Sequence, residues 1–384
     1  MDWFLRLLHG ILLDSINDTK LIRHPPSTVF YSPTTTDQIN SGPTMASSSS
    51  SSSSYLPNKI LLLGAGELGQ AIISSIVEHP IFTAIKGSTL TIALRPSSLE
   101  TPTDAQKTLQ TSWLINPQVS LHGLDLEATP LASLTEFLAT SDFTTVIHAG
   151  GMTSIEGTYT KLARAVLDAQ VPLYLPWQFG LDYDVIGPAA GHGLFAEQCG
   201  VRVLLREQTR TKYKIISCGM FMSFLFEQAW GVVVKEPTED DQARERIRVR
   251  PVGGWETPLT VTTAEDIGRA TAEIALTAGT SDNPDDSHVA VHRDVVFIAG
   301  QTVTYSELAD LLASVTGKEV IRDGSWTMGY LSAKMDEDPG NKLWRYRTVF
   351  GQGIGTAWPV EGTLNDDKNW AFEGIGEWVK RCWT

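Results

Sequence analysis

Cysteine is scarce in this chain. Its 384 residues hold three, Cys199, Cys218 and Cys382, scattered and without C-x-x-C or zinc-ligand spacing. That excludes a disulfide framework and a cysteine metal site, and it suits a reducing, cytoplasmic compartment. Basic residues are also in deficit: 30 Lys and Arg stand against 44 Asp and Glu, for a formal charge of -14. Such a balance argues against nucleic acid or an anionic membrane surface as the main partner. Apolar runs long enough to span a bilayer are missing, and so is any repeat of solenoid length.

The first 57 residues hold little that could fold. Residues 1–13 form a short apolar patch interrupted by Asp2, Arg6 and His9, without the cationic start and cleavage site of a signal peptide. The Ser/Thr/Pro-rich stretch that follows includes the run Ser47 to Ser54, which has too little apolar surface to offset the entropy of ordering. The expectation is a disordered, dispensable N-terminal extension over residues 1–57, with Met45 as a possible true start. A targeting role for residues 1–20 is the alternative. The remaining length is enough for about two domains.

What is present begins at Asn58. Lys59 to Leu63 reads as a buried strand, and Gly64, Ala65, Gly66, Glu67, Leu68 and Gly69 follow as a G-x-G-x-x-G turn that opens a helical pattern. The glycine spacing alone is weak, but a strand before it and a helix after it supply the context of a dinucleotide-binding turn. Gly64 permits the tight turn, Gly66 lets backbone approach a pyrophosphate, and Gly69 lets helix and strand pack closely. The helix N-terminus then offers unpaired N–H groups and a positive dipole end to phosphate.

Ser88 to Leu94 reads as the second strand, ending at Arg95-Pro-Ser-Ser98. An acidic residue at this position would bind a ribose 2′-hydroxyl. Arg95, with the hydroxyls of Ser97 and Ser98 nearby, suits a 2′-phosphate instead, and the expected cofactor is NADP(H). Lys107 adds charge further on. Asp125-Leu126 after the third strand stands either beside the adenine or in an ordinary loop. The fourth strand, Thr144 to His148, ends in Ala149, Gly150 and Gly151, small residues that let backbone pass close to a cofactor. His148 itself reads as a packed core histidine.

The fifth strand leads into Trp177, Gln178, Phe179, Asp182 and Tyr183. Carboxyl ends of strands four and five are where a nicotinamide ring and its substrate would meet, so this segment is either a site or an aromatic corner packing the loop. Alternating βα units up to Ser217 predict a parallel sheet with right-handed crossovers. After Phe221 the pattern changes. A helix carrying Met222, Phe224, Leu225 and Phe226, a helix opening at Thr262, a strand over Val289 to Ile298, a helix over Tyr305 to Val315 and a terminal amphipathic helix over Trp370 to Cys382 are expected. The fold class is therefore α/β: a Rossmann-type doubly wound parallel sheet over residues 58–220, with a smaller α+β lobe over 221–384 that covers the substrate and is partly interleaved with it.

The first strand and its glycine turn, Arg95-Pro-Ser-Ser98, Leu175-Pro-Trp-Gln-Phe-Gly180 and Thr263-Ala-Glu-Asp-Ile-Gly268 together resemble the NmrA-like family. More closely, they resemble isoflavone-reductase-like oxidoreductases of the atypical short-chain dehydrogenase class, of fungal type. The resemblance covers about residue 58 to the end. It implies NADP(H) binding and, in the reductases, a lysine acting as acid or base in a Phe-x-x-Lys segment, with an arginine four places later near the cofactor. Here the segment is Phe195-Ala-Glu-Gln198, with Arg202 beyond it. Gln198 can polarise a carbonyl but has no titratable proton; Tyr183 and His192 are nominated to supply one from their positions alone, the other readings being a loop anchor for Tyr183 and an exposed turn residue for His192. The Tyr-x-x-x-Lys of ordinary short-chain dehydrogenases is missing after the fourth strand; Tyr330-Leu-Ser-Ala-Lys334 matches it far downstream, by accident. The expectation is an NADPH-dependent reductase of a small aromatic or polyketide-type molecule, monomeric or homodimeric, without metal. The other reading is a non-catalytic, dinucleotide-binding redox sensor.

Overall fold

The computed structural model describes residues 56–150, 155–236, 245–277 and 294–383. Nearly all of the N-terminal extension, Gly151, the loop 237–241 and the first part of the strand expected from Val289 lie outside the described residues.

Six strands form a parallel sheet: β1 (Lys59–Leu63), β2 (Thr89–Leu94), β3 (Val119–Gly123), β4 (Thr145–His148), β5 (Leu173–Leu175) and β6 (Lys212–Tyr213), in the order β3-β2-β1-β4-β5-β6. β1 is central because Ile60, Leu61, Leu62 and Leu63 are all buried, and only a strand covered on both faces can hide such a run. Its register sets Leu63 beside Ala93 on one side and beside His148 on the other. Strand order reverses between β1 and β4, and the crevice outside their carboxyl ends is the topological switch point where α/β sheets bind ligands. A seventh strand, β7 (Ile215–Ser217), prolongs the edge, since the Lys214 N–H donates to the Tyr174 carbonyl at 3.1 Å.

The helices flanking this sheet are α1 (Glu67–Glu78), α2 (Asp104–Leu114), α3 (Leu131–Thr140), α4 (Thr158–Asp168) and α5 (Ala196–Arg206). α1 buries Leu68, Gly69, Ile72, Ile73 and Ile76, a stripe at helical spacing turned onto the sheet. α6 (Ala264–Thr277) comes from much later in the chain yet packs across α1. A Cβ on Gly268 would stand 2.6 Å from the Ala71 carbonyl carbon, so only glycine allows that approach. Thr263 caps α6 by accepting the Asp266 N–H at 3.1 Å.

A second apolar core gathers Met220, Met222, Trp230, Val249, Leu259, Tyr305 and Phe350. Around it lie two small sheets. One joins β8 (Met220–Phe221), β11 (Pro258–Thr262) and β13 (Gln301–Thr304); the other joins β9 (Val233–Glu236), β10 (Arg246–Val249) and β14 (Val320–Arg322). β12 (Val295–Phe297) returns to pair with β7, so the two halves interleave. Two expected helices differ. The one after Phe221 is a single turn, Met222–Leu225, because the next N–H groups, of Phe226 and Glu227, donate to the carbonyls three residues back, Ser223 and Phe224 at 3.3 and 3.2 Å, which closes a turn instead of continuing the helix. The terminal helix starts only at Ile375, because the backbone N–H groups of Glu373 and Ile375 are taken by Asp266 and Gln301 at 2.9 and 2.8 Å.

Candidate functional site

The crevice at the switch point is a cleft of about 610 Å³, within the roughly 300–1,000 Å³ range of small-molecule sites. Gly64, Ala65, Gly66 and Glu67 form one edge, and Ala149 and Gly150 the floor. Gly64 has φ +98, and a Cβ there would sit 2.8 Å from both the N and Cα of Gly150, so the two turns touch backbone to backbone. Gly69 lies beneath, where a Cβ would meet the Gly64 carbonyl at 2.3 Å; it packs helix against strand, and Leu68 is buried beside it. Gly66 is the N-cap of α1 and supplies no side-chain cap. The first-turn N–H groups therefore have no side-chain acceptor from the cap and open onto the cleft, the arrangement that receives a phosphate.

Glu67 stands in that first turn and accepts the Ser223 hydroxyl at 3.0 Å, a bond across the two lobes. Burial raises its carboxyl above the usual range, with Ser223 opposing and Glu265 adding to the rise. Glu227 faces the same cleft and is raised by burial, with Glu67 adding to it.

Arg95 lies over the opposite end of the cleft, half exposed, its Nη2 3.6 Å from Oε1 of Glu127. Glu127 is fixed in place: the same Oε1 accepts the Ile155 N–H at 3.2 Å, and its carbonyl accepts from Lys161 at 3.0 Å. Asp125 builds this loop by accepting the N–H groups of Glu127 and Ala128 at 2.9 and 3.0 Å. Two expected donors point elsewhere. Ser97 is exposed and outside the cleft, and Ser98, one residue on, lines it. Lys107 faces solvent beside Asp104 at 3.4 Å, while Gln106, Leu109, Gln110 and Trp113 turn the cleft-facing side of α2 inward.

His148 is fully buried at the back of the cleft. Its Nε2 would lie 2.9 Å from a Cβ on Gly150, its ring centroid is 5.5 Å from that of Tyr159, and neither ring nitrogen has a hydrogen-bond partner. Burial pulls its pKa down to about 3.

A smaller cavity of about 60 Å³ adjoins this cleft, and Phe224 lines both. Its walls are mostly aromatic, with Trp177, Phe179, Tyr183, Phe195, Tyr346 and Phe350 among them, beside Leu181 and Met220. Burial pushes the phenols of Tyr183 and Tyr346 up, so both stay protonated. Phe179 therefore belongs to this cavity.

Gln178 and Arg202 line neither space. Arg202 is 1% exposed, its Nε donates to Gln178 Oε1 at 3.0 Å and its Nη1 to Asp184 at 2.7 Å, and the Gln178 amide donates to the Gln198 carbonyl at 2.9 Å. These bonds tie α5 to the loop after β5 through Nε and Nη1, while Arg202 Nη2 is buried without a hydrogen-bond partner among the described residues. Asp184 also takes Arg206 at 2.8 Å, and that hydrogen bond leads in lowering its carboxyl to about 2. Gln198 is buried on the inner face of α5 and lines neither space, and His192 is an exposed residue at φ +53 whose carbonyl takes Arg345.

Ser98, one of the two hydroxyls expected beside Arg95, does line the cleft; Glu127, Gln106, Gln110, Ser223, Phe224, Glu227 and Tyr346 were not singled out as site residues from sequence. Only the α2 face carried a signal, the i, i+3, i+4, i+7 set from Gln106 to Trp113. Ser223, Phe224 and Glu227 reach the cleft from a distant part of the chain, and Tyr346 reaches the smaller cavity from another.

Among the described residues there is no cluster of His, Cys, Asp and Glu able to hold a metal, and no helix long and apolar enough to cross a membrane. The model of the NmrA-like family matches residues 57–330. A Gibberella moniliformis protein named NmrA-like family domain-containing oxidoreductase is 37% identical over 326 residues, 85% of this chain and 98% of that one. Among solved structures, an isoflavone reductase superposes with a TM-score of 0.63 at 17% identity, covering 85% of this chain and 99% of its own. The leucoanthocyanidin reductase–NADPH complex from Vitis vinifera superposes at 0.59 and 18%, covering 80% and 91%. On the family match and the Gibberella relative, this chain belongs to the NmrA-like family.

Proposed function

We propose that the protein is an NADPH-dependent reductase of a small aromatic or polyketide-type secondary metabolite. One observation carries this reading: the uncapped helix N-terminus at Gly66 and the guanidinium of Arg95 open onto one cleft, and an aromatic cavity joins it at Phe224. The Gibberella relative is named an oxidoreductase, and the Vitis structure is a complex with NADPH, which supports the same chemistry here. In this reading residues 58–220 bind the dinucleotide and residues 221–384 close over the substrate, in a cytoplasmic monomer or homodimer.

Bound NADPH would supply a hydride to a C=O or C=C carbon of the substrate. The chain's own groups do the rest. N–H groups of the Gly64–Gly69 turn hold the pyrophosphate, Arg95 holds the 2′-phosphate, and Ala149 and Gly150 leave room for the nicotinamide-side ribose. Trp177, Phe179 and Phe350 line the aromatic cavity, which at about 60 Å³ has to widen toward the cleft to seat a flat substrate. Tyr183 and Tyr346 both line that cavity and keep their protons at neutral pH; this reading assigns the donor role to Tyr183, at the end of the fifth-strand segment, although burial makes it a weaker acid, while Gln198 and His192 line neither space.

Turnover tests it. NADPH oxidation against a panel of aromatic enones and ketones should find a substrate, and Tyr183→Phe should lower kcat about a hundredfold, the scale of a lost general acid. Tight dinucleotide binding with no turnover across a broad panel would sink the reductase reading and leave the redox sensor.

A further inference from the structure

The end of the cleft that would take the adenosine ribose carries two opposed readers rather than one. Arg95 is set at the carboxyl end of β2, and Glu127 faces it from the loop after β3, with 3.6 Å between Nη2 and Oε1. Both line the cleft. Their restraint differs: the Glu127 carboxylate is held by the Ile155 N–H and is 23% exposed, while Arg95 is 48% exposed and, among the described residues, has this one ion pair to orient it. A 2′-phosphate arriving at Arg95 must therefore displace or share a guanidinium already claimed by a fixed carboxylate.

We propose that Glu127 is a specificity-determining residue that competes with the 2′-phosphate for Arg95 and thereby limits the preference for NADPH over NADH. A dinucleotide without the phosphate leaves the pair intact and presents a hydroxyl that Glu127 can accept. The inference rests on the dinucleotide reading of the cleft given above.

The test is calorimetric titration of the full-length protein with NADPH and with NADH at low salt, before and after Glu127→Gln, which keeps an oxygen for the Ile155 N–H. Removing the competing charge should tighten NADPH about fivefold, the upper end for an exposed ion pair, and leave NADH within about twofold or slightly weaker. In an Arg95→Met background the same change should move the ratio by less than about twofold, because no guanidinium remains to compete for. An unchanged NADPH-to-NADH ratio in Glu127→Gln overturns the inference, as does a fivefold response that survives without Arg95. If the unaltered chain binds neither dinucleotide, the reading of the cleft itself fails, and that result is distinct from two dinucleotides binding with an unmoved ratio.

Discussion

His148 makes the chain's stability depend on pH in a window that one substitution should erase. Its imidazole is wholly buried, with both nitrogens unpartnered, and burial lowers its pKa from 6.5 to about 3. Between those values the unfolded chain binds a proton that the folded chain refuses. Stability is therefore complete above pH 6.5 and is lost as pH falls toward 3. Proton linkage over this interval costs about 2 kcal/mol on going from pH 7 to pH 5. The loss falls where function sits, because the ring lies directly under Gly150 and the turn that meets Gly64. Urea unfolding of the parent and of His148→Met, at pH 7, 6 and 5, isolates the effect; methionine fills irregular space without a titrating group, and other ionisable groups cancel in the difference. The parent should lose about 2 kcal/mol more than the variant by pH 5. Parallel losses in the two proteins would refute the reasoning and show that His148 accepts a proton in the fold.

Gly64→Ala forces a Cβ to within 2.8 Å of Gly150 backbone at φ +98. It should cost about 1–3 kcal/mol in unfolding experiments and weaken NADPH binding more than about tenfold in titration. Arg202→Met separates two roles. As the buried tie between α5 and Asp184 it should destabilise the protein by about 3 kcal/mol with little change in dinucleotide affinity measured well below the melting temperature. A stable variant with weakened NADPH binding would instead make Arg202 a cofactor residue.

The Rossmann half was legible in the sequence because its signals are local. A strand buried on both faces has to be apolar throughout, as Lys59–Leu63 nearly is, and the glycines at 64, 66 and 69 answer steric demands within a few residues. Arg95 was legible for the same reason: strand ends dictate what lies at the switch point. Lys107 was misplaced by composition, since a positive charge on α2 says nothing about which face it takes; the run from Gln106 to Trp113 does. Arg202 and Gln178 were plausible cofactor residues on family position, but their partners, Asp184 and the Gln198 carbonyl, become apparent only once α5 packs on the loop after β5. Ser223 was out of reach because a contact made across more than a hundred residues, such as Ser223 with Glu67, leaves no pattern in one chain, and Glu127 because its facing of Arg95 appears only once β2 and β3 lie side by side. The shortened helix at Met222–Leu225 shows the converse: an apolar run without polar spacing predicts burial, and helix only by habit.

The most direct measurement is fluorescence or calorimetric titration of the unaltered protein with NADPH and NADH, repeated with Arg95→Met. The account predicts saturable binding of both, NADPH tighter by about tenfold or more through charge-assisted bonds to Arg95, and a preference that collapses in the variant. Equal affinity for the two dinucleotides, or a preference that persists in Arg95→Met, would contradict it.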